Sequence, residues 1–286
     1  MAGADRRIGG RRVSAIGFGE AGLSVAARPS DEAGCAVLAA AYDAGITLFD
    51  TATCYVPSAD AQGHGERLLA SALAGRGDVV VASKAGIERT ASVDFATDFS
   101  HDARPATVRR QCEASLRALG AERIDLYQLH RPDPNVPLAE TMGAFAELRT
   151  EGKIDLVGLC NVTAAELEQA LAIVDVASVQ NSFSLANRES ADLAQRCHEL
   201  GIAFLAYSPL GGLGDRARSL PQRVPSLQTV ASARGVSPHR VALAWLLAQG
   251  PHVIPLVGAR RIETIRDSAT AASLELTQDE LETLAA

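Results

Sequence analysis

The sequence predicts an α/β barrel of eight parallel strands that alternate with helices, formed by one domain over residues 1 to 286. Short apolar runs alternate with segments of helical periodicity along nearly the whole chain, the pattern of repeated strand-helix units. The length of 286 residues suits one such barrel, which commonly takes about 250 residues. No linker rich in proline, glycine or serine divides the chain, which argues against an open sheet with a second domain.

The first predicted element is a small β-hairpin over Arg7 to Val13, which is expected to plug or precede the barrel. Its centre is the pair Gly9-Gly10, because two glycines readily adopt the positive φ of a tight two-residue turn. After it, eight short apolar runs are predicted as the barrel strands. In chain order they cover Ser14 to Phe18, Ile46 to Asp50, Val79 to Ser83, Asp125 to His130, Leu156 to Cys160, Ser178 to Asn181, Ala203 to Ala206, and Val253 to Leu256.

The helices between the strands are predicted from apolar periodicity together with end signals. Ser30, Thr163 and Ser237 stand at N-cap positions, and Gly152 and Gly201 follow two helix ends. The predicted helices cover Asp31 to Ala44, Glu66 to Leu73, Thr107 to Leu119, Leu138 to Glu151, Ala164 to Val174, Glu189 to Leu200, Pro238 to Ala248, and Gln278 to Leu284. Three strand-to-helix loops are long, over Ala52 to Gly65, Ala85 to Ala106, and Ser208 to Pro225, so the site is expected at that end of the barrel.

The amino-acid composition limits the binding partners and the cellular compartment that we expect for this protein. The 27 Lys and Arg against 34 Asp and Glu give a net charge of −7, which offers no bulk attraction to nucleic acid or to an anionic membrane. The five cysteines are scattered without a Cys-x-x-Cys pair, so neither a zinc site nor a dithiol redox site is predicted. The sequence contains no signal-peptide pattern and no apolar run of about 18 residues, and we expect a cytoplasmic protein.

The run from Gly17 to Gly22 matches the glycine fingerprint of dinucleotide-binding open sheets. That fingerprint requires a helix to begin at the glycines, whereas Pro29 and Ser30 are expected to delay the next helix. The acidic residue that should follow by about 20 residues is also absent, because Asp50 lies 28 residues beyond Gly22. The run is therefore interpreted as a glycine-rich loop at the barrel mouth.

Four residues that can transfer or polarise a proton lie at or just beyond the ends of three strands: Asp50, Tyr55, Lys84 and His130. The carboxyl ends of parallel barrel strands meet at one mouth, so these side chains are expected to converge there. A lysine in that position is costly unless a carboxylate neutralises it, which predicts a pair between Lys84 and Asp50. Lys84 is expected to lower the pKa of Tyr55 and His130 to share its hydrogen bond, making Tyr55 a proton donor.

The segments around these four residues resemble the signature segments of the aldo-keto reductases. They are Phe49-Asp50-Thr51-Ala52 with Tyr55, Ser83-Lys84, and Leu126-Tyr127-Gln128-Leu129-His130. The resemblance runs over nearly the whole chain. It implies a (β/α)8 barrel that moves a hydride between a nicotinamide cofactor and a small-molecule carbonyl or alcohol, without a metal. It also implies that Asp50, Tyr55, Lys84 and His130 are the catalytic residues.

The same resemblance implies cofactor contacts at the other strand ends. Asn161 and Gln180 would bind the nicotinamide carboxamide, and Tyr207 would lie against the ring. Ordinary capping or satisfaction of the core is the alternative role for Asn161 and Gln180. The expected cofactor residues are Gly19, Cys160, Asn161, Gln180, Tyr207, Ser208, Pro209, Leu210, Gly211, Gly258, Arg260, Asp267 and Ser268.

Two departures from the family pattern affect the choice of cofactor. Cys160 stands where the family usually has serine, which replaces a hydroxyl with a weaker thiol contact. Thr264 stands where a basic residue is often found near the adenosine end. Arg260 or Arg261 could instead pair with a 2′-phosphate, or the two could be solvated residues at a helix start. NADP is therefore favoured as the cofactor, and NAD stays possible.

Substrate selection is assigned to the loop Ala85 to Ala106, and Arg131 is a candidate contact for an anionic group, with a surface salt bridge as its alternative. The candidate apolar walls in that loop are Phe95 and Phe99, and the candidate polar contacts are Asp94, Asp98, His101 and Asp102. The predicted activity is NADPH-dependent reduction of an aldehyde or ketone. The alternatives are an oxidative sugar or alcohol dehydrogenase using NAD, and a nicotinamide-binding regulatory subunit like those of potassium channels. The oligomeric state is not predicted.

Overall fold

The computed structural model describes residues 6–25, 28–58, 61–89, 99–212 and 214–285. Two N-terminal strands, β1 (Arg6–Ile8) and β2 (Arg11–Val13), form an antiparallel hairpin. Eight parallel strands then close into a barrel, with the order β3-β4-β5-β8-β9-β10-β11-β12 around the wall. They are β3 (Gly17–Gly19), β4 (Leu48–Asp50), β5 (Val80–Ala85), β8 (Ile124–Leu129), β9 (Ile154–Cys160), β10 (Ser178–Ser182), β11 (Ala203–Tyr207) and β12 (Val253–Val257). The predicted barrel and hairpin are confirmed.

A second hairpin, β6 (Ile87–Arg89) and β7 (Phe99–His101), lies in the long loop after β5. The helices are α1 (Ala21–Ser24), α2 (Asp31–Asp43), α3 (His64–Ala72), α4 (Pro105–Leu119), α5 (Leu138–Thr150), α6 (Ala164–Leu171), α7 (Ala191–Leu200), α8 (Asp215–Arg218), α9 (Leu220–Arg223), α10 (Ser226–Arg234), α11 (Pro238–Ala248), α12 (Ile262–Ala269) and α13 (Gln278–Ala285), with a 3-10 turn at Thr270–Ser273. Within the described ranges, no helix is both long and apolar enough to cross a membrane.

The first hairpin closes the end of the barrel opposite the site. Ile8 and Val13 are buried and pack in one cluster with Leu48, Leu126 and other residues of the barrel strands. These apolar side chains are buried from solvent and cover the floor of the barrel. The long loops lie at the other end.

Local signals in the sequence account for several helix boundaries. The Ser30 side chain accepts from the backbone of Ala33, and Thr163 forms a reciprocal capping box with Glu166. Gly201 adopts φ 69° at the end of α7, a left-handed conformation that glycine reaches without steric cost. Ser237 likewise accepts from the backbone of Arg240, and these three N-caps explain why the predicted helix starts agree with the observed ones at α2, α6 and α11.

The prediction that no helix begins at the glycine-rich run is wrong. The one-turn helix α1 follows Glu20 directly, with Leu23 N–H donating to the Glu20 carbonyl and Val25 N–H to the Ala21 carbonyl. Sequence patterns rarely reveal a single turn of helix, because it is too short to show periodicity. The closed barrel nevertheless excludes the open dinucleotide-binding sheet that this run would otherwise indicate.

Candidate active site

Strands β4, β5 and β8 bring the four predicted catalytic residues to one end of the barrel. The parallel register places Asp50 beside Ala82, and Lys84 beside Gln128 on the next strand. Lys84 is fully buried, and its Nζ donates to Asp50 Oδ2 at 2.5 Å, to the Thr51 carbonyl at 2.9 Å and to Tyr55 Oη at 3.3 Å. The ammonium group therefore has three acceptors, which offset the cost of its burial.

This arrangement sets the charge states of the site. Burial alone would lower the pKa of Lys84, but Asp50 and Tyr55 outweigh it, and the net pKa is raised. Burial raises the pKa of Tyr55 as well, against the opposing effect of Lys84. The expectation of a net lowering for Tyr55 is therefore wrong, because desolvation of the phenolate outweighs the ammonium. Tyr55 is held as the neutral phenol, the form that can donate a proton.

Asp50 is fixed through its other oxygen by two glutamines. Its Oδ1 accepts from Gln180 Nε2 at 2.8 Å and from Gln128 Nε2 at 3.1 Å. Gln128 Oε1 in turn accepts from Gln180 Nε2 at 3.3 Å and from the Cys160 thiol at 3.7 Å. No role was predicted for Gln128, although strand alternation puts it on the same inward face as His130, two residues on. A polar residue on that apolar face was the available signal.

His130 is held from two directions at the rim of this network. Its Nδ1 lies 3.5 Å from the thiol of Cys54, and its carbonyl accepts from Asn161 Nδ2 at 2.9 Å. The rings of Tyr55 and His130 meet edge to face, with centroids 5.7 Å apart and an angle of 85°. Burial, reinforced by Lys84, holds the pKa of His130 well below its ordinary value, so the ring is neutral. The role of Cys54 was not predicted, because a lone cysteine carries no spacing signal.

A cavity of about 350 Å³ opens beside these residues at the barrel mouth. Most of the predicted site residues line it, together with side chains from the β6–β7 hairpin. The predicted residues on its wall are Gly19, Asp50, Tyr55, His130, Asn161, Gln180, Tyr207, Ser208, Pro209, Leu210 and Gly258. Ile87, Arg89, Phe99 and Arg131 are also on the wall. Lys84 lies behind Tyr55, away from the cavity surface.

Two of the wall residues have backbone conformations that are uncommon outside glycine. Asn161 has φ 57° and Ser208 has φ 49°, both in the left-handed region. Asn161 is also fixed through its side chain, because Tyr207 Oη donates to its Oδ1 at 2.8 Å. Such conformations concentrate where a structure holds side chains or backbone amides in a required direction.

Five predicted cofactor residues do not line the cavity. The Cys160 thiol bonds to Gln128 inside the barrel, and the Gly211 carbonyl accepts from Arg223. Asp267 accepts from Ser237 Oγ and from Arg240 Nη2, both at 2.5 Å, which joins α12 to α11. Ser268 is buried in α12. Arg260 lies nearer the cavity, because its Nε donates to the carbonyl of the wall residue Gly22 at 2.9 Å.

The predicted substrate loop is only partly described. Asp94, Phe95 and Asp98 lie outside the described residues, whereas Phe99 is on the cavity wall as predicted. Asp102 bonds to Arg104 and Thr107 at the start of α4, and Arg104 holds the pKa of this carboxyl below its ordinary value. His101 pairs with Ile87 across the hairpin. Asp102 therefore supports a helix start, and it does not line the cavity.

Comparison with known proteins gives the family. The model of the aldo/keto reductase family matches residues 15–286. An aldo-keto reductase (str7) of Strobilurus tenacellus is 33% identical, over 96% of this chain and 89% of that protein. An aldo-keto reductase of Klebsiella pneumoniae, solved in complex with NADPH, is 30% identical with a TM-score of 0.82, covering 99% of this chain and 94% of the other. The glycerol dehydrogenase of Gluconobacter oxydans is 27% identical with a TM-score of 0.86, at the same coverages. The chain therefore belongs to the aldo/keto reductase family of oxidoreductases.

Proposed function

We propose that this protein reduces an aldehyde or ketone to an alcohol with NADPH, and that Tyr55 is the proton donor. The observation that carries the proposal is the position of the Tyr55 hydroxyl. It lies on the wall of the cavity, 3.3 Å from the Nζ of the fully buried Lys84, which is itself paired with Asp50. A neutral phenol next to a fixed positive charge is suited to protonating an oxygen that gains negative charge.

The roles of the four side chains follow from their charge states. When bound, the nicotinamide supplies the hydride that reaches the carbonyl carbon. Tyr55 donates its proton to the developing alkoxide, and Lys84 stabilises the phenolate that is left. Asp50 holds Lys84 protonated, in agreement with the raised pKa of that amine. The tyrosine recovers its proton from solvent after the alcohol leaves.

His130 is proposed to orient the substrate carbonyl. Burial raises the pKa of Cys54 to about 12, so its sulfur carries a proton near pH 7. That thiol can donate to Nδ1 of the neutral His130 ring, which leaves the hydrogen on Nε2. An Nε2–H donor beside Tyr55 can hold the carbonyl oxygen in place for proton transfer.

The residues at the barrel mouth fit a nicotinamide dinucleotide. Gly19 and Gly258 face each other on the cavity wall, and a Cβ on Gly258 would lie 3.4 Å from the Gly19 carbonyl oxygen, at van der Waals contact. Gln180 and Asn161 offer amide groups for the carboxamide, and Tyr207 offers a flat ring. Ser208, Pro209 and Leu210 continue this wall along the expected position of the pyrophosphate.

The proposed preference for NADP over NAD is based on the position of Arg260. Its bond to the Gly22 carbonyl holds the exposed guanidinium beside the glycine-rich end of the cavity, where it can pair with a 2′-phosphate. The Klebsiella pneumoniae relative solved with NADPH supports the same choice. Asp267 and Ser268 are not included in this proposal, because Asp267 is bonded to Arg240 and Ser268 is buried within α12.

The test is the loss of NADPH absorbance against a panel of aldehydes and ketones, repeated with NADH. We expect turnover with several carbonyls and a higher kcat/KM for NADPH. Binding of NADPH without turnover of any carbonyl or alcohol would overturn the proposal and favour a regulatory subunit.

Oxidation of an alcohol is the second candidate, because the Gluconobacter oxydans relative is a glycerol dehydrogenase. The same residues can run that reaction in reverse, with Tyr55 acting as the base. Titration of alcohols with NADP⁺ and with NAD⁺ distinguishes the two directions. A kcat/KM for alcohol with NAD⁺ that exceeds the value for every carbonyl with NADPH would favour the oxidative reading.

A further inference from the structure

Glu20 is a buried carboxyl beside the active site that the proposed reaction does not use. It follows β3 directly and is completely buried. Its backbone N–H donates to the Asp50 carbonyl at 2.8 Å, and its Oε2 accepts from Thr51 Oγ1 at 3.0 Å. Gly65 leaves room for it, because a Cβ at that position would overlap Glu20 Oε2. The carboxyl is therefore built into the wall between β4 and α3.

A continuous row of hydrogen-bonding side chains joins this carboxyl to solvent. Ser24 Oγ bonds to Glu20 Oε1 and lies 2.7 Å from His64 Nδ1. His64 Nε2 in turn lies 3.0 Å from Oδ1 of Asp31, whose side chain is 60% exposed. The row crosses α1, α3 and α2, so it depends on the folded arrangement of three helices.

This row can hold one proton in two positions. In the first, Glu20 is protonated and donates to Ser24, and Ser24 donates to the neutral His64. In the second, Ser24 donates to the Glu20 carboxylate, and the doubly protonated His64 donates to Ser24 and to Asp31. The two forms differ only by transfer of one proton through the serine hydroxyl, so no atom or charge is gained or lost.

The carboxyl is linked to the catalytic lysine through a single residue. Thr51 donates from its hydroxyl to Glu20, while its carbonyl accepts from Lys84 Nζ at 2.9 Å. We propose that Glu20, Ser24 and His64 form a proton-sharing relay that sets the charge next to the Lys84–Asp50 pair, with Glu20 as a positioning residue for Lys84. The effect on catalysis rests on the proposed function, whereas the relay itself does not.

The charge balance around Glu20 supports titration near neutral pH. Burial raises the pKa of Glu20 to about 7, against opposing hydrogen bonds from Ser24 and Thr51. The charged groups that face the relay are Lys84 on β5, Asp50 on β4, His64 on α3, Asp31 on α2, and Arg28, which pairs with Asp31. Ionised Glu20 adds a negative charge beside Lys84 and so disfavours the phenolate form of Tyr55.

The order Asp31, His64, Ser24 also resembles a nucleophilic triad, but the structure excludes that reading. The Ser24 side chain is completely buried, does not line the cavity at the barrel mouth, and bonds to a carboxyl on its other side. A nucleophile needs access to its substrate. The row is suited to moving a proton, and not to attacking a carbonyl.

The relay is tested by carboxyl NMR titration of Glu20 in the full-length protein without cofactor. The signal is assigned by its loss in Glu20→Gln, and midpoints are compared among wild type, Ser24→Ala, His64→Gln and the control Ser83→Ala. We expect Ser24→Ala and His64→Gln each to raise the midpoint of Glu20 by at least half a pH unit, because each removes a partner that favours the carboxylate. Ser83 bonds to another buried glutamate, Glu66, outside the relay, so its replacement is expected to shift the midpoint less. An unchanged midpoint in His64→Gln, or an equal shift in Ser83→Ala, would overturn the relay.

The link to Lys84 is tested by the pH profile of kcat/KM for carbonyl reduction. In the wild type we expect a decline of about three- to tenfold as pH rises through about 7, an order of magnitude typical of one charge acting through a protein interior. Glu20→Gln should remove this decline and retain the activity measured at pH 6. A Glu20→Gln profile with the wild-type decline would overturn the link while leaving the relay standing. If no carbonyl is reduced at all, the proposed function fails, and the NMR titration still decides the relay.

Discussion

At the scale of single residues, the proposed mechanism depends on a lysine that is fully buried beside an aspartate. Removing one member of such a pair leaves an uncompensated charge inside the protein, whereas removing both removes the problem. Lys84→Met is therefore expected to lower the free energy of unfolding by about 3 to 5 kcal/mol. The double variant Asp50→Asn, Lys84→Met should recover much of that loss, yet stay inactive. Urea denaturation of both variants measures the difference, and equal stabilities would contradict the pairing.

Glu20 predicts a pH dependence of stability with a definite sign. Its pKa rises from 4.5 to about 7 on folding, so the folded state favours the protonated form. The stabilisation is complete below about pH 4.5 and is lost as the pH rises through about 7. Relative to Glu20→Gln, which does not titrate, the wild type should lose on the order of 3 kcal/mol between pH 4 and pH 8. Urea denaturation at several pH values tests this, and a constant difference between the two proteins would refute it.

Only some residues of the site could be predicted from the sequence. The convergence of Asp50, Tyr55, Lys84 and His130 was predictable, because titratable side chains at strand ends are unusual and parallel strands bring them together. Glu20 and Cys54 were not, since their roles depend on contacts between separate elements that no spacing encodes. The direction of the Tyr55 pKa shift was mispredicted, because the depth of burial is a property of the folded molecule.

At the scale of elements, the N-caps of two helices predict different losses of stability on substitution by alanine. Thr163 caps α6 through its side chain, whereas Ser190 occupies the N-cap of α7 without a side-chain bond. Thr163→Ala is therefore expected to destabilise the protein by about 1 kcal/mol, the usual cost of a lost cap. Ser190→Ala should change stability by no more than a few tenths of that. Thermal or urea unfolding of the two variants provides the comparison, and equal losses would contradict the assignment.

Element prediction succeeded where periodicity or capping was strong. All eight barrel strands and the N-terminal hairpin were located, because alternating or continuous apolar runs report burial directly. The one-turn helices α1, α8 and α9 and the hairpin β6–β7 were missed, since three or four residues carry no measurable period. The nine-residue helix α10 was also missed, because it begins after Pro225 without a side-chain cap. The short elements lie in strand-to-helix connections at the barrel mouth, where α1, the hairpin β6–β7 and α8 contribute residues to the cavity wall.

At the scale of the whole molecule, cofactor binding should stabilise the barrel, because the predicted contacts lie at strand ends around much of its mouth. A ligand at 100 times its Kd adds about 2.7 kcal/mol to folding, which raises the melting temperature by several degrees. We expect a larger rise with NADPH than with NADH at equal concentration. Arg260→Ala should remove most of that difference and leave the rise with NADH nearly unchanged. Equal rises with both nucleotides in the wild type would count against the assignment of Arg260.

The role of Tyr55 as proton donor is tested by kcat for carbonyl reduction in Tyr55→Phe, with the Kd for NADPH determined in parallel. The substitution removes only the hydroxyl that lies 3.3 Å from Lys84 Nζ. We expect a fall in kcat of about 100- to 10,000-fold, the usual contribution of a general acid, with the Kd for NADPH changed by less than about threefold. A variant that binds NADPH normally and retains the wild-type kcat would rule out Tyr55 as the proton donor, because the proton would then come from another group.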